Sequence, residues 1–380
     1  MDILLSLPVV SYFWSTSLTS WSTSLNLLFF YMTWSTLVLS HSPLKIEIVG
    51  TTAIRLGLWF LPSILFLLFD ALLPSLSETI KYSRRQVLPA GRDAKTMGKL
   101  IGLAVFNLGL ETIIEAGLSY GFGLAIGRPV FKTSTTLPLP WGIMKHVGVL
   151  FGIREVVGYW IHRGVLHGNG GSIPQVAKVK TTTRRNSKIP SHVLKLGGNR
   201  LAQLHCSYAH GIPRPTFSLQ KGTDHPVAYL LHRFVPVYFS AVVLSLVTGN
   251  LHLLTYFVFV GLTTMEETMA MSGYSIIPGI VMGGIVKRTA MHYESGGKGN
   301  YGSWGVLDWV CGTGLGRGVI NDFREVGGRR WEEGLGVEDG GSGFVSEVLD
   351  GVKMGKTKRG GARKGGRRRK GEVEDDEWRE

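Results

Sequence analysis

The sequence predicts an all-α membrane protein: a polytopic bundle of transmembrane helices, with a histidine-bearing cap on the cytosolic side and a disordered C-terminal tail. Three observations predict it. Of 380 residues, 44% are hydrophobic and only 18% charged, which is too apolar for one ordinary soluble domain with linkers. From Ile3 to Leu44 the chain has no Asp, Glu, Lys or Arg, and further apolar stretches follow it. The polar residues, and with them most of the eleven histidines, are expected to gather on one side of the bilayer.

Taken in order, the N-terminal stretch exceeds the roughly 20 apolar residues that a bilayer-spanning helix needs. No Lys or Arg precedes it and no clear small-residue cleavage site follows, so a span is expected rather than a secretory signal peptide. Five more stretches run from about Leu56 to Leu76, Leu100 to Ile126, Trp141 to Ile161, Phe234 to Val247 and Leu251 to Met265. Backbone groups in lipid must be satisfied internally, so all are expected to be helices. The last two read as a hairpin turned at Gly249 and Asn250. Asp70, Glu111, Glu115, Lys145, Arg154 and Glu155 lie in or near these spans, and mutual pairing inside the bundle is preferred for them over direct chemistry.

The net charge of +14 does not point to nucleic acid. Ten Lys and Arg lie between Lys353 and Lys370 with no acid among them, in a tail that from about Asp322 is rich in Gly and charge and poor in large apolar residues. Such a tail is expected to be disordered and to touch anionic lipid. The segment from Gly168 to Arg200 carries Lys178, Lys180, Arg184, Arg185, Lys188, Lys195 and Arg200 with no acid, which places it on the cytosolic side. Cys206 and Cys311, the only two cysteines, fall on that reducing side and are expected to be free.

Six histidines are expected at one membrane level: His162 and His167 in YWIHRGVLH, His205 and His210 in LHCSYAHG, His225 in DHPVAY, and His292 in AMHYES. Neutral imidazole is a good ligand for iron, zinc and copper, so their convergence predicts a metal site. His41, His146, His192 and His252 are read as capping or headgroup histidines, while His232, two turns into the span that His225 opens, stays open between the two readings. His162 and His167 are spaced i and i+5, about 140° apart on an α-helix. They reach one centre if the helix frays or carries a π-bulge at Gly164.

The order of these runs resembles the fatty acid hydroxylase and sterol desaturase superfamily, the membrane-bound non-haem di-iron oxidases of lipid metabolism. The resemblance covers roughly Trp141 to Gly316 and rests on three places. Glu155 followed by Tyr159, Trp160, His162 and Arg163 is similar to the family's first histidine box. His225-Pro226 looks like the His-Pro opening its next helix pair. Asn300, Tyr301, Gly302, Leu307, Asp308, Trp309, Gly312 and Thr313 look like the stretch after its third box. The second and third boxes, which in the family read His-x-x-His-His, keep one histidine each here, in Ala202-Gln203-Leu204-His205-Cys206 and Thr289-Ala290-Met291-His292-Tyr293. His210, His225 and His232 are then the available substitutes, with Glu266 or Glu267 as a carboxylate source.

What the resemblance implies is an iron-dependent oxidoreductase using molecular oxygen to hydroxylate or desaturate a sterol, fatty acid or sphingolipid. It would hold a di-iron centre on His162, His167, His205, His210, His225 and His292, with His162, His167, His205 and His292 central to catalysis. Residues 1–135 would be N-terminal transmembrane helices, 136–320 the fatty acid hydroxylase-like catalytic region, and 321–380 the tail. A haem electron carrier and its reductase would supply electrons at the cytosolic face of the endoplasmic reticulum membrane. The alternative is a catalytically impaired relative acting as a lipid-binding or scaffold protein. No dinucleotide-binding pattern is present, since the glycines of Gly296 to Gly302 do not lie between a strand and a helix.

Overall fold

Helices follow one another from Leu18 to Val310, each bounded by a proline, a glycine or a capping side chain that the sequence supplies. The computed structural model describes residues 18–82, 94–168, 200–210, 216–249, 251–277 and 280–316. The basic segment after Gly168 and the tail from Asp322 lie outside the described residues, as does the chain before Leu18. Among the described residues there is no strand, only two isolated bridges, Lys81 with Tyr274 and Lys132 with His252.

Helix α1 spans Leu18–Ser40. Helix α2 spans Pro43–Leu72 and opens on Pro43, whose missing N–H costs nothing in a first turn. Helix α3, Pro74–Ile80, starts at a proline that ends α2. Helix α4, Ala94–Ile126, stops at Gly127, which adopts φ 72°. Helix α5, Pro140–Trp160, runs on through a π-helical turn at Ile161–Leu166. After the short helix α6, Arg200–Ala209, a 3₁₀ turn at Ser218–Gly222 leads into α7, Pro226–Thr248. Helix α8, Leu253–Ser272, follows closely after Gly249, which ends α7 at φ 70°, and contacts α7. Helices α9, Ile280–Glu294, and α10, Val306–Val310, complete the described chain.

Among the described residues, α2, the stretch Lys95–Ile126 of α4, and α7 are long and apolar enough to cross a membrane, where the sequence led to six expected spans. Their surfaces support that assignment. Leu65 of α2, Ile113 and Leu124 of α4 and Val247 of α7 are exposed, while Arg55, Asp70, Glu111 and Glu115 are buried, as are Arg154 of α5 and Glu266 and Glu267 of α8. A soluble protein does not expose apolar area on this scale, so the chain is a membrane protein. Its outward face is solvated by lipid tails, and its charges turn inward.

Of the charges expected to pair, Arg55, Asp70, Glu111, Glu115 and Arg154 do so, while buried Glu155 accepts the Trp304 N–H instead. Arg55 bonds Glu111 at 3.1 Å and Glu115 at 2.5 Å, and the hydroxyls of Tyr229 and Tyr256 donate to the same two carboxylates. Asp70 takes Lys81, the Ser77 hydroxyl and the Tyr274 hydroxyl. Arg154 reaches Glu266 and Glu267, both at 3.0 Å. Lys145 differs: it is exposed. Around these pairs an apolar core of Trp34, Phe131, Leu150, Tyr238, Tyr256 and Phe259 packs α8 against α2, α5 and α7.

Two of the three π turns share a cause. Leu56–Phe60 ends two residues before Pro62, and Leu230–Phe234 ends two residues before Pro236. A proline has no N–H for the carbonyl four residues back, so the preceding turn relaxes into i+5 bonding, as the Leu61 and Val235 N–H groups show by reaching Leu56 and Leu230. The turn at Leu230–Phe234 carries His232.

Candidate metal centre

Six imidazoles from four parts of the chain meet in one pocket at the end of the bundle. His162 and His167 come from the π turn of α5, in which the His167 N–H bonds the His162 carbonyl at 3.1 Å. That i+5 bond sets one residue over the other, so the spacing that would splay them on an α-helix brings their Nε2 atoms to 3.2 Å. Gly164 sits inside this turn, where the sequence suggested a bulge. His205 comes from α6, His210 from the residue after it, His232 from the π turn of α7, and His292 from α9.

Ring centroids lie 4.0 Å apart for His162 and His232, 4.7 Å for His162 and His292, and 4.8 Å for His210 and His292. His167 stands 5.0 Å from His205, 5.1 Å from His210 and 5.1 Å from His292. Two sets of three, His162 with His167 and His205, and His167 with His210 and His292, have ligand atoms all within 4.8 Å of one another. They share His167.

The outer nitrogens fix which face of each ring is free. His162 Nδ1 is 2.8 Å from the Tyr301 carbonyl, and His292 Nδ1 is 2.7 Å from the Gly299 carbonyl. A carbonyl only accepts, so each Nδ1 carries the proton and each Nε2 keeps its lone pair for the pocket. His205 Nδ1 donates to Asp224 at 2.6 Å with the same result. Asp224 is itself steadied by the His225 N–H at 2.7 Å, and Asn107 of α4 binds its backbone carbonyl at 2.9 Å. The Nε2 atoms of His205 and His292, both nitrogens of His210 and Nδ1 of His167 are buried without a hydrogen-bond partner. Buried polar atoms are rarely left so, and a convergent set of them is what a metal ion satisfies.

The glycine-rich loop Ser295–Gly302 closes the pocket. Gly297, at φ 81°, passes so close that a Cβ there would lie 2.3 Å from His167 Cε1. Asp308 of α10 accepts the N–H groups of Tyr301 and Gly302 at 2.9 and 2.7 Å and the Thr313 hydroxyl at 2.7 Å. Asn300, at φ 56°, donates to the Arg288 carbonyl and accepts from Leu315 N–H. These clamps set the carbonyls that orient His162 and His292.

Burial favours the neutral form of His167, His210 and His292. It pushes His292 down to about 4, against some support from the Gly299 carbonyl, and with the fields of His292 and His205 it pushes His167 down to about 2. His210 falls well below its ordinary value for the same first reason. Neutral rings are the form that binds a cation.

Five of the six expected histidines meet here, and the sixth does not. His225 accepts the Val227 N–H at 3.3 Å as the cap of α7 and faces Tyr208, so its lone pair serves its own helix. His232, two turns on, takes the place expected of it. Glu266 and Glu267 also stand apart, because Arg154, the Trp304 indole, Lys221 and Arg233 hold them. His252 caps α8 through the Leu254 N–H. Cys206 and Cys311 are free thiols. The role of His232 was signalled by Pro236, and that of Asp224 by a lone acid following the two histidines of α6. No family model matches the chain, and no solved structure matches it.

Proposed function

We propose that this protein is a membrane-bound, iron-dependent oxidoreductase acting on a lipid, with its centre in the six-histidine pocket. The observation that carries the reading is the set of buried, partnerless imidazole nitrogens of His167, His205, His210 and His292 in one pocket, with the outer nitrogens of His205 and His292 engaged by a carboxylate and a carbonyl. The donor set suits a first-row transition ion and is poor for magnesium or calcium, which prefer oxygen. Iron held there would supply oxygen activation for breaking an unactivated C–H bond, ending in hydroxylation or a double bond.

The chain's own residues would do the rest. His162, His167, His205, His210, His232 and His292 hold the metal, and Asp224 and the carbonyls of Gly299 and Tyr301 keep their rings oriented. The helices around the pocket would exclude water from it, and an apolar substrate would reach it from the bilayer. The resemblance to the fatty acid hydroxylase and sterol desaturase superfamily gives the substrate class, the endoplasmic reticulum membrane with the pocket on the cytosolic face, and a haem carrier with its reductase as electron source.

Lipid analysis of cells that carry His162→Ala in place of the natural chain tests the reading. One hydroxylated or unsaturated sterol, fatty acid or sphingolipid should fall to background. An unchanged lipid profile, with the variant present at normal abundance, would refute an oxidase and favour a lipid-binding or scaffold role.

A further inference from the structure

Beneath the histidine pocket a second polar site lies in the middle of the bundle. It is a cavity of about 20 Å³ between α2, α4, α7, α8 and the 3₁₀ turn, with Arg55, Glu111, Lys221, Arg233, Thr263 and Glu267 on its walls. Arg233 follows His232 directly, so one turn of α7 serves both spaces. The lining charges fall into two groups. Arg55, Glu111 and Tyr229 are bonded to one another on one side, while Lys221 at 2.7 Å and Arg233 at 3.6 Å share Glu267 on the other.

Thr263 lines the same cavity. It is 2% exposed, and its hydroxyl has no hydrogen-bond partner. A threonine in a helix ordinarily returns its proton to the carbonyl four residues back, as Thr268 does to Thr264, but Thr263 does not. An orphaned buried hydroxyl on the wall of a polar cavity marks a missing partner. The cavity admits only a small one, since about 10–15 Å³ suffices for a single water. A bound cation would meet three positive side chains, and both carboxylates are already taken. A bound anion would face Glu111 and Glu267. The neutral ligand is the one that fits.

We propose that this cavity is an internal water site, in which bound water accepts or donates at Thr263 Oγ1 and joins the Arg55–Glu111 group to the Lys221–Glu267 group. Such water makes one continuous polar network out of two, running from Arg55 and Glu111 to Arg233, the residue next to His232. The proposal does not depend on the metal reading, because none of its residues is a histidine of that pocket.

Thr263→Val and Thr263→Ser, in the full-length protein in mild detergent, test it by the sign of the change. With water bound, the isosteric valine removes a satisfied hydrogen bond and lowers the melting temperature by a few degrees, while serine keeps it within about one degree. If the cavity is dry, valine removes an unsatisfied hydroxyl and raises the melting temperature, which overturns the proposal. A density map of the wild-type protein that resolves ordered water decides independently: a peak within hydrogen-bond reach of Thr263 Oγ1 supports it, and an empty cavity refutes it. A melting temperature that rises in chloride relative to gluconate would replace water with an anion.

Discussion

Replacing Asp308 with asparagine isolates the support of the histidine pocket from the pocket itself. Asp308 touches no histidine; it holds the loop whose Gly299 and Tyr301 carbonyls orient His292 and His162. Its Oδ1 takes the Tyr301 N–H at 2.9 Å and the Thr313 hydroxyl at 2.7 Å, and its Oδ2 takes the Gly302 N–H at 2.7 Å. Asparagine can keep the first two with its oxygen but must aim an NH2 group at the Gly302 N–H. One charge-assisted bond becomes a donor–donor clash, a loss of about 2–3 kcal/mol in the clamp. If that loss releases the two carbonyls, metal affinity falls by about 10–100-fold, as for other outer partners of ligating histidines. Titration of metal-stripped protein with Co²⁺ against a competing chelator measures it, with the melting temperature of the stripped protein as a control. A dissociation constant within twofold of wild type, at a clamp shown to be perturbed by a lowered melting temperature, would refute the coupling.

Two further substitutions separate roles that the sequence left together. His232→Ala is expected to remove bound metal, whereas His225→Ala leaves the metal content unchanged, because only His232 lies among the pocket rings; elemental analysis of the two purified variants reads the difference. Arg55→Met leaves Glu111 and Glu115 buried without their cation and should destabilise the bundle by about 3–5 kcal/mol, seen as an earlier thermal transition in detergent. A transition at the wild-type temperature would mean that those carboxylates are protonated or hydrated.

How much of this was legible in the sequence differs from feature to feature. The helical class followed from long apolar runs whose ends carry proline, glycine or charge, and the turn at Gly249 followed from its glycine. Five pocket histidines were visible because they cluster at the ends of those runs, and the i+5 pair already suggested a widened turn at Gly164. His232 stayed open between two readings because ordinary helical geometry does not predict the widened turn that precedes Pro236 in α7. The partner of each buried charge was also invisible, since Arg154 with Glu266 and Lys221 with Glu267 join residues far apart in the chain. Pairing of that kind depends on how helices pack, which periodicity does not specify. His225 shows the reverse error: a histidine beside a proline at a helix start is as well placed to cap the helix as to bind a metal.

Iron content of the full-length protein, purified in mild detergent without added metal and quantified per chain, tests the central claim most directly. The account predicts about two irons per chain, lost together in His167→Ala, whose ring belongs to both sets of three. A folded wild-type protein carrying no iron, and taking up none when it is offered under reducing conditions, would contradict it.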